Sequence, residues 1–130
     1  MKNVKGALVI VLNIPWTFLG LCAALLSVPQ RMSWSKNPPA IIFHITSFWW
    51  YQYFPGKKGI RAMTNGNVVQ LGRWADESDK AHELIHVEQY MRAPFIHPIL
   101  YTIESLRHGG GMQNRYEKEA YEKSGSSYQI

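Results

Sequence analysis

Two histidines and a glutamate lie within the five residues His82-Glu83-Leu84-Ile85-His86. On an α-helix, residues four apart project from nearly the same stripe, so the imidazoles of His82 and His86 can reach one metal ion. Imidazole nitrogens are common zinc ligands. The carboxylate of Glu83, about 100° around the helix, can hold a metal-bound water and act as a general base. The segment therefore predicts the metal-binding helix of a zinc-dependent hydrolase.

A catalytic zinc ion typically has three protein ligands, so the two histidines leave one to be found. No histidine lies six positions after His86, which excludes the pattern with a third histidine close behind the first two. The remaining candidates are His97, Glu104, His108, Glu117 and Glu119. Glu117 and Glu119 point about 200° apart on one helix, so only one of them can face the metal. Spacing alone does not choose between them.

Further residues have types that suit the same chemistry. Gln89 follows His86 by three residues on the same side of the helix and can support that ligand through a hydrogen bond. A developing oxyanion needs a donor, and four unranked candidates are present: Tyr101, Tyr121, His97 and His108. The residues Val68, Val69, Gln70 and Leu71, if they form an edge strand, can align an extended peptide by strand addition.

The elements that position these residues have local signals. Residues 76–79 place capping residues and negative charge at a helix start, and the helix is predicted to run to about Met91, before Ala93-Pro94. Before it, residues 60–63 and 68–71 flank Asn65-Gly66, a pair that supplies the positive φ values of a tight β-hairpin turn.

Two more helices are predicted after the histidines. The first covers residues 95–107, with Pro98 in its first turn, and the glycines at 109–111 end it. The second covers residues 114–123, and the glycine turn lets it fold back beside the histidine helix. Residues 124–130 form a flexible tail. These elements predict an α+β domain over residues 41–123, with a short sheet and about three helices.

Residues 1–30 are predicted to anchor the chain in a membrane. Residues 7–28 carry no charge and would span about 33 Å as a helix. Asn13 and Pro15 interrupt the segment, so a kinked span, a re-entrant segment, a cleavable signal peptide and a buried helix stay open. Residues 31–40, bounded by prolines, are read as a linker. Aromatic and β-branched residues fill 41–53, which suits a strand in the core or a segment at the level of lipid head groups.

Composition limits the partners. The chain has 130 residues, enough for one domain, and a net charge of +5 that suits an anionic surface. The basic residues are scattered and no nucleic-acid motif is present, which favours membrane lipid over nucleic acid. Lys57, Lys58, Arg61 and Arg73 are read as a solvated or lipid-facing basic patch. Cys22 is the only cysteine, so an intrachain disulfide and a cysteine-rich zinc site are excluded.

The hairpin of residues 62–72, the His-Glu-x-x-His motif and the later segment Glu117-x-x-Ala120 together resemble the gluzincin metallopeptidases. The nearest branch is the membrane-embedded one, which includes the prenyl-protein (CAAX) endopeptidases and the heat-shock-linked quality-control proteases; the short chain also resembles the minimal gluzincins. The resemblance covers residues 60–121 and implies a zincin-like domain with Glu117 as third zinc ligand. Tyr121 stands where the family usually has aspartate, and the extra helices of larger members are missing.

The resemblance implies a small membrane-anchored zinc metallopeptidase, with one Zn²⁺ ion held by His82, His86 and Glu117. Glu83 would activate the zinc-bound water for attack on a peptide bond. Its partners would be a peptide or protein substrate and membrane lipid. The alternative is an inactive zinc-stabilised membrane or peptide-binding domain, which the tyrosine at position 121 and the small size favour. A third alternative, a membrane protein that does not depend on a metal, also stays open.

Overall fold

A computed structural model describes residues 2–46, 48–49, 61–110 and 113–125. Its elements are α1 (Lys2–Leu12), α2 (Ile14–Leu26), β1 (Pro29–Lys36), β2 (Pro39–Ile45), β3 (Ala62–Asn65), β4 (Val68–Leu71), α3 (Glu77–Arg92), α4 (His97–His108) and α5 (Arg115–Ser124). The predicted α+β class is confirmed, with a four-stranded sheet and five helices in the described part of the chain.

The described strands form one sheet in the order β1-β2-β4-β3. β1 runs antiparallel to β2, β2 runs parallel to β4, and β4 runs antiparallel to β3. The buried residues Ile42, Val69 and Leu71 of the sheet pack with Val87 of α3 in one apolar cluster. This packing fixes the histidine helix on the sheet.

The condition under which Val68, Val69, Gln70 and Leu71 could align a peptide, an edge position in the sheet, is not met. They form β4, whose residues are all buried and which is flanked on both sides by β2 and β3. The backbone N–H and C=O groups of β4 therefore form hydrogen bonds within the sheet, with β3 on one side and with β2, which lies much earlier in the chain, on the other. The outer described strand on this side is β3.

The predicted linker at 31–40 is also wrong, because these residues belong to β1 and to the start of β2. The prolines that indicated a linker occupy positions where a strand tolerates them. Pro29 and Pro39 are the first residues of their strands, and Pro38 lies in the turn between the strands. The missing N–H of proline therefore interrupts no hydrogen bond inside the sheet.

The N-terminal apolar segment forms two helices, not one. α1 and α2 meet at a bend of 60°, and no single described helix is long and apolar enough to cross a membrane. By length and composition alone, the bent pair qualifies as a broken span or a re-entrant loop. Asn13 lies at the bend, fully buried; its Nδ2 donates to Tyr90 O (3.2 Å), and its Oδ1 accepts from Phe95 N (3.0 Å). The bend is thereby tied to the end of α3.

The predicted hairpin is confirmed as β3 and β4, although its turn residues are Gly66 and Asn67. Only Gly66 of this pair has a positive φ (59°), the pattern of a type II′ turn. The turn packs on α2, where the Thr17 hydroxyl accepts from Asn67 N at 3.0 Å. A Cβ atom built on Gly20 of α2 would lie 2.9 Å from Asn65 O, so the close approach of helix and hairpin requires glycine.

The three predicted helices of the domain are confirmed. Asp76 caps α3 in a reciprocal capping box with Asp79, and Asn114 caps α5. α4 has a proline in its first turn and ends at Gly109, whose φ is 97°. Of the aromatic segment at 41–53, residues up to 45 form β2. The described residues do not include 1, 47, 50–60, 111–112 and 126–130. Lys57, Lys58 and most of the predicted tail are therefore outside them.

Candidate metal centre

Three potential ligands meet where α3 packs against α5. His86 Nε2 lies 2.9 Å from Glu117 Oε1, and His82 Nε2 lies 3.2 Å from Glu117 Oε2. The two Nε2 atoms are 3.1 Å apart, and one ligand atom from each of the three residues falls within a 4.8 Å span. Ligands at tetrahedral angles around zinc lie about 3.3 Å apart, so the cluster has a suitable size and donor set for one such ion.

Glu117, and not Glu119, joins the histidines. Glu117 lies in the first turn of α5, three residues after the cap Asn114, and faces α3. Glu119 instead forms ion pairs with Arg92 and Lys123. The structure thus separates the two glutamates, as their opposite helix directions require.

The other candidate ligands are placed away from this cluster. Glu104 pairs with Arg115, and His108 is exposed at the end of α4. His97 is buried with its ring against those of Tyr90 and Tyr116, and burial lowers its pKa to about 4. Among the described residues, the group that can hold a metal is His82, His86 and Glu117.

The carboxylate of Glu83 is buried beside the ligands. Its Oε2 accepts a hydrogen bond from the Thr64 hydroxyl of β3 at 3.0 Å. Burial raises the pKa of Glu83, although the neighbouring histidines oppose that shift. A carboxylate with a raised pKa takes up a proton more readily, which suits a general base. The sequence held no signal for Thr64, since the contact joins residues from a strand and a helix.

The side chain of Gln89 determines which nitrogen of His86 is protonated. Gln89 Nε2 donates to Tyr116 O (2.9 Å) and Glu119 Oε1 (2.7 Å), so its Oε1 must face His86 Nδ1, at 2.8 Å. An amide oxygen only accepts, so Nδ1 carries the proton and Nε2 is left to bind a cation. The predicted supporting role of Gln89 agrees with this geometry.

The four candidate oxyanion donors differ in position. The Tyr101 hydroxyl donates to Glu117 Oε1 at 3.0 Å, so this tyrosine of α4 orients a ligand. The Tyr121 ring lies 4.3 Å from the His82 ring, centre to centre. His97 is buried against Tyr90 and Tyr116, and His108 is exposed at the end of α4. Tyr101 and Tyr121 therefore lie closest to the cluster.

The electrostatics of the cluster favour a cation. Burial would raise the pKa of Glu117, but hydrogen bonds from His82 and His86 outweigh it and hold that pKa well below its usual range. Burial would likewise lower the pKa of His86, yet Glu117 and Glu83 raise it to about 9. The two carboxylates that favour a proton on His86 would equally favour a divalent cation in its place.

Arg61, one of the four residues predicted to form a basic patch, is paired with acidic side chains. Its guanidinium pairs with Asp79 and with Asp76 at the start of α3, at 3.5 Å for the second pair. The contact joins the residue just before β3, the strand that carries Thr64, to the start of α3, which carries the histidines.

Comparison of the chain with protein-family models, with curated proteins and with solved structures gives no match.

Proposed function

We propose that this protein is a membrane-associated zinc metallopeptidase. The observation that carries the proposal is the meeting of His82, His86 and Glu117 beside the buried carboxylate of Glu83. Two histidines and one glutamate are a donor set of catalytic zinc sites. The arrangement also agrees with the gluzincin resemblance, in which a glutamate of a later helix completes the site.

The number of ligands favours an enzyme over the inactive alternative. Structural zinc sites have four protein ligands, whereas catalytic sites have three and an open position. The cluster formed by the described residues has three members. A fourth position is thus available for water or substrate, and the inactive zinc-stabilised domain is the second candidate.

Each of the residues around the site has a separate role in the proposed hydrolysis. When bound, a zinc ion would lower the pKa of a coordinated water and would act as a Lewis acid that polarises the carbonyl group. Glu83 takes the proton of the attacking water on its carboxylate and passes it to the leaving amine. Thr64 holds this carboxylate in place, while Gln89 and Tyr101 fix His86 and Glu117. Tyr121, whose ring lies 4.3 Å from that of His82, would be the candidate donor to the oxyanion, because the Tyr101 hydroxyl already donates to Glu117.

A peptide substrate is better aligned by β3 than by the interior strand β4. β3 is the outer described strand next to β4, and its Thr64 contacts Glu83. An extended peptide paired with this strand would pass beside the general base, with main-chain hydrogen bonds for affinity.

Membrane association is part of the proposal. The bent pair α1 and α2 exposes large apolar side chains, among them Leu8, Phe18 and Leu25, with exposed fractions of 57%, 62% and 70%. Many exposed apolar side chains on one pair of helices are typical of a membrane contact, and the net charge of +5 suits anionic lipid.

The test is the substitution Glu83→Gln in the full chain, purified in detergent. We expect the variant to keep one zinc per chain by elemental analysis and to lose cleavage of unfolded protein substrates by at least about 100-fold, since the general base is gone. The matched control is Glu88→Gln, because Glu88 is an exposed glutamate of the same helix. It should keep both zinc and cleavage.

Three outcomes separate the alternatives. Cleavage by the wild type that chelation stops and zinc restores supports the peptidase. A wild type that binds zinc yet leaves diverse substrates intact supports the inactive zinc-stabilised domain. Full cleavage by Glu83→Gln, or the absence of stoichiometric metal binding, contradicts the proposal.

A further inference from the structure

α4 has an apolar face that no described residue covers. Five large apolar side chains at its start and along its outer side are between 42% and 83% exposed: Phe95, Ile96, Ile99, Ile103 and Leu106. The three that lie within the helix, Ile99, Ile103 and Leu106, fall within an arc of about 60° at 100° per residue. The opposite side of the helix holds His97, buried, and Tyr101, which donates to Glu117. α4 is therefore amphipathic, with its polar contacts turned to the metal site.

The apolar face of α4 begins at the bend of the N-terminal helices. Trp16 of α2 donates from Nε1 to Phe95 O at 2.6 Å, and the rings of the two residues lie 6.1 Å apart. Asn13, at the bend, accepts a hydrogen bond from Phe95 N. Phe95 thus joins α4 to the pair of helices that carries most of the other exposed apolar residues.

We propose that the outer face of α4 lies in the interfacial region of a lipid bilayer, as a second membrane contact beside α1 and α2. The proposal rests on the membrane association included in the proposed function, and it is independent of zinc and of hydrolysis. Lipid is favoured as the occupant because the face continues from helices whose composition suits a bilayer. Exposed Arg107, which follows Leu106, places a cation beside the apolar arc, as anionic head groups require.

This placement has a consequence for the metal site. Because Tyr101 projects from the side of α4 opposite the apolar arc, Glu117 lies about one helix diameter, roughly 10 Å, from the lipid-facing side. α4 would then form the wall between the bilayer and the ligands. In this placement, substrate reaches the ligands from a side other than the one that α4 covers.

The experiment uses an environment-sensitive fluorophore on single cysteines of the full chain, reconstituted into vesicles of phosphatidylcholine and phosphatidylglycerol. Labels are placed on the native Cys22 of α2 and, each in a Cys22→Ser background, on Ile99→Cys and Leu106→Cys of α4 and on Lys118→Cys of α5. All four positions are exposed, so the labels leave the core intact. We expect the labels on α4 and on α2 to shift to the blue and to be quenched by lipids with a quencher on the acyl chain.

The label at Lys118 is the control and should keep its emission. Quenching at Cys22 without quenching on α4 overturns this inference and leaves the membrane association intact. The absence of quenching at every position overturns both. The α4 labels could instead shift to the blue without being quenched by lipid, while the protein has the mass of a dimer. That result would assign the face to a second copy of the chain and overturn the inference. His82→Ala, which removes a zinc ligand, should leave the α4 quenching unchanged.

Discussion

Gln89 accepts a hydrogen bond from His86, with its Oε1 atom 2.8 Å from Nδ1 of the imidazole. The amide of the same side chain donates to Tyr116 O and to Glu119 Oε1 on α5. One residue thereby fixes the tautomer of a ligand and links the helix that carries the histidines to the helix that carries the third ligand.

The substitution Gln89→Met, which keeps the length of the side chain but removes its polar atoms, should weaken zinc binding about 10-fold to 100-fold. The reason is that His86 loses the acceptor that orients its ring. Competition with a fluorescent chelator measures the change, with the exposed Glu88→Gln on the same helix as control. Unchanged zinc affinity in Gln89→Met would show that packing alone orients His86.

The two glutamates of α5 should respond differently to the same substitution. Glu117→Gln removes a charged ligand and should abolish stoichiometric zinc binding, whereas Glu119→Gln should retain it. Because the pairs of Glu119 with Arg92 and Lys123 are partly exposed, their loss should cost at most about 1 kcal/mol of unfolding free energy. Elemental analysis and denaturant titration measure the two effects. If Glu119→Gln lost zinc while Glu117→Gln kept it, the assignment of Glu117 as the third ligand would be wrong.

Gly20→Ala should destabilise the protein by about 1 to 3 kcal/mol. The added methyl group would lie 2.9 Å from both Asn65 O and Val68 Cβ, so α2 would have to move off the hairpin. Gly6→Ala in α1 is the control, because its Cβ would meet no atom within 4 Å. It should raise stability by up to about 1 kcal/mol through helix propensity. Equal effects of the two substitutions on denaturant unfolding in detergent would exclude a close contact at Gly20.

The Asp76 cap at the start of α3 predicts that the folded chain loses stability in acid. Hydrogen bonds from Ser78 and from the backbone of Asp79 lower the pKa of Asp76 from 3.8 to about 2. A carboxyl with a lowered folded-state pKa stabilises the fold above its unfolded-state pKa, and this contribution is lost as the pH falls through the folded-state value. Asp76→Asn keeps a capping side chain but does not titrate.

The wild type should therefore exceed Asp76→Asn in unfolding midpoint above about pH 4, and the difference should shrink between pH 3.8 and about 2. Denaturant titrations of both proteins with a chelator present measure it, since loss of metal then contributes nothing. A difference that stays constant over this range would show that the charge of Asp76 does not stabilise the folded chain.

The local elements around the site follow from the sequence alone. Asp76 and Asp79 signal the start of the histidine helix, and the spacing of His82 and His86 places two imidazoles on one stripe. The hairpin at Gly66 and the cap at Asn114 are equally local. These features depend on hydrogen bonds and dihedral angles within a few residues, which the order of residues largely determines.

The order of the strands and the surroundings of the ligands required the tertiary structure. β4 lies inside the sheet because β2, more than twenty residues earlier, pairs with it, and no local signal distinguishes an inner from an outer strand. The hydrogen bonds of Thr64 to Glu83 and of Tyr101 to Glu117 likewise join residues 19 and 16 positions apart. The sequence determined which groups could bind a metal and on which helices they lie. Packing of those helices on the sheet decided which glutamate meets the histidines, because only the folded chain sets the distances between side chains of separate elements.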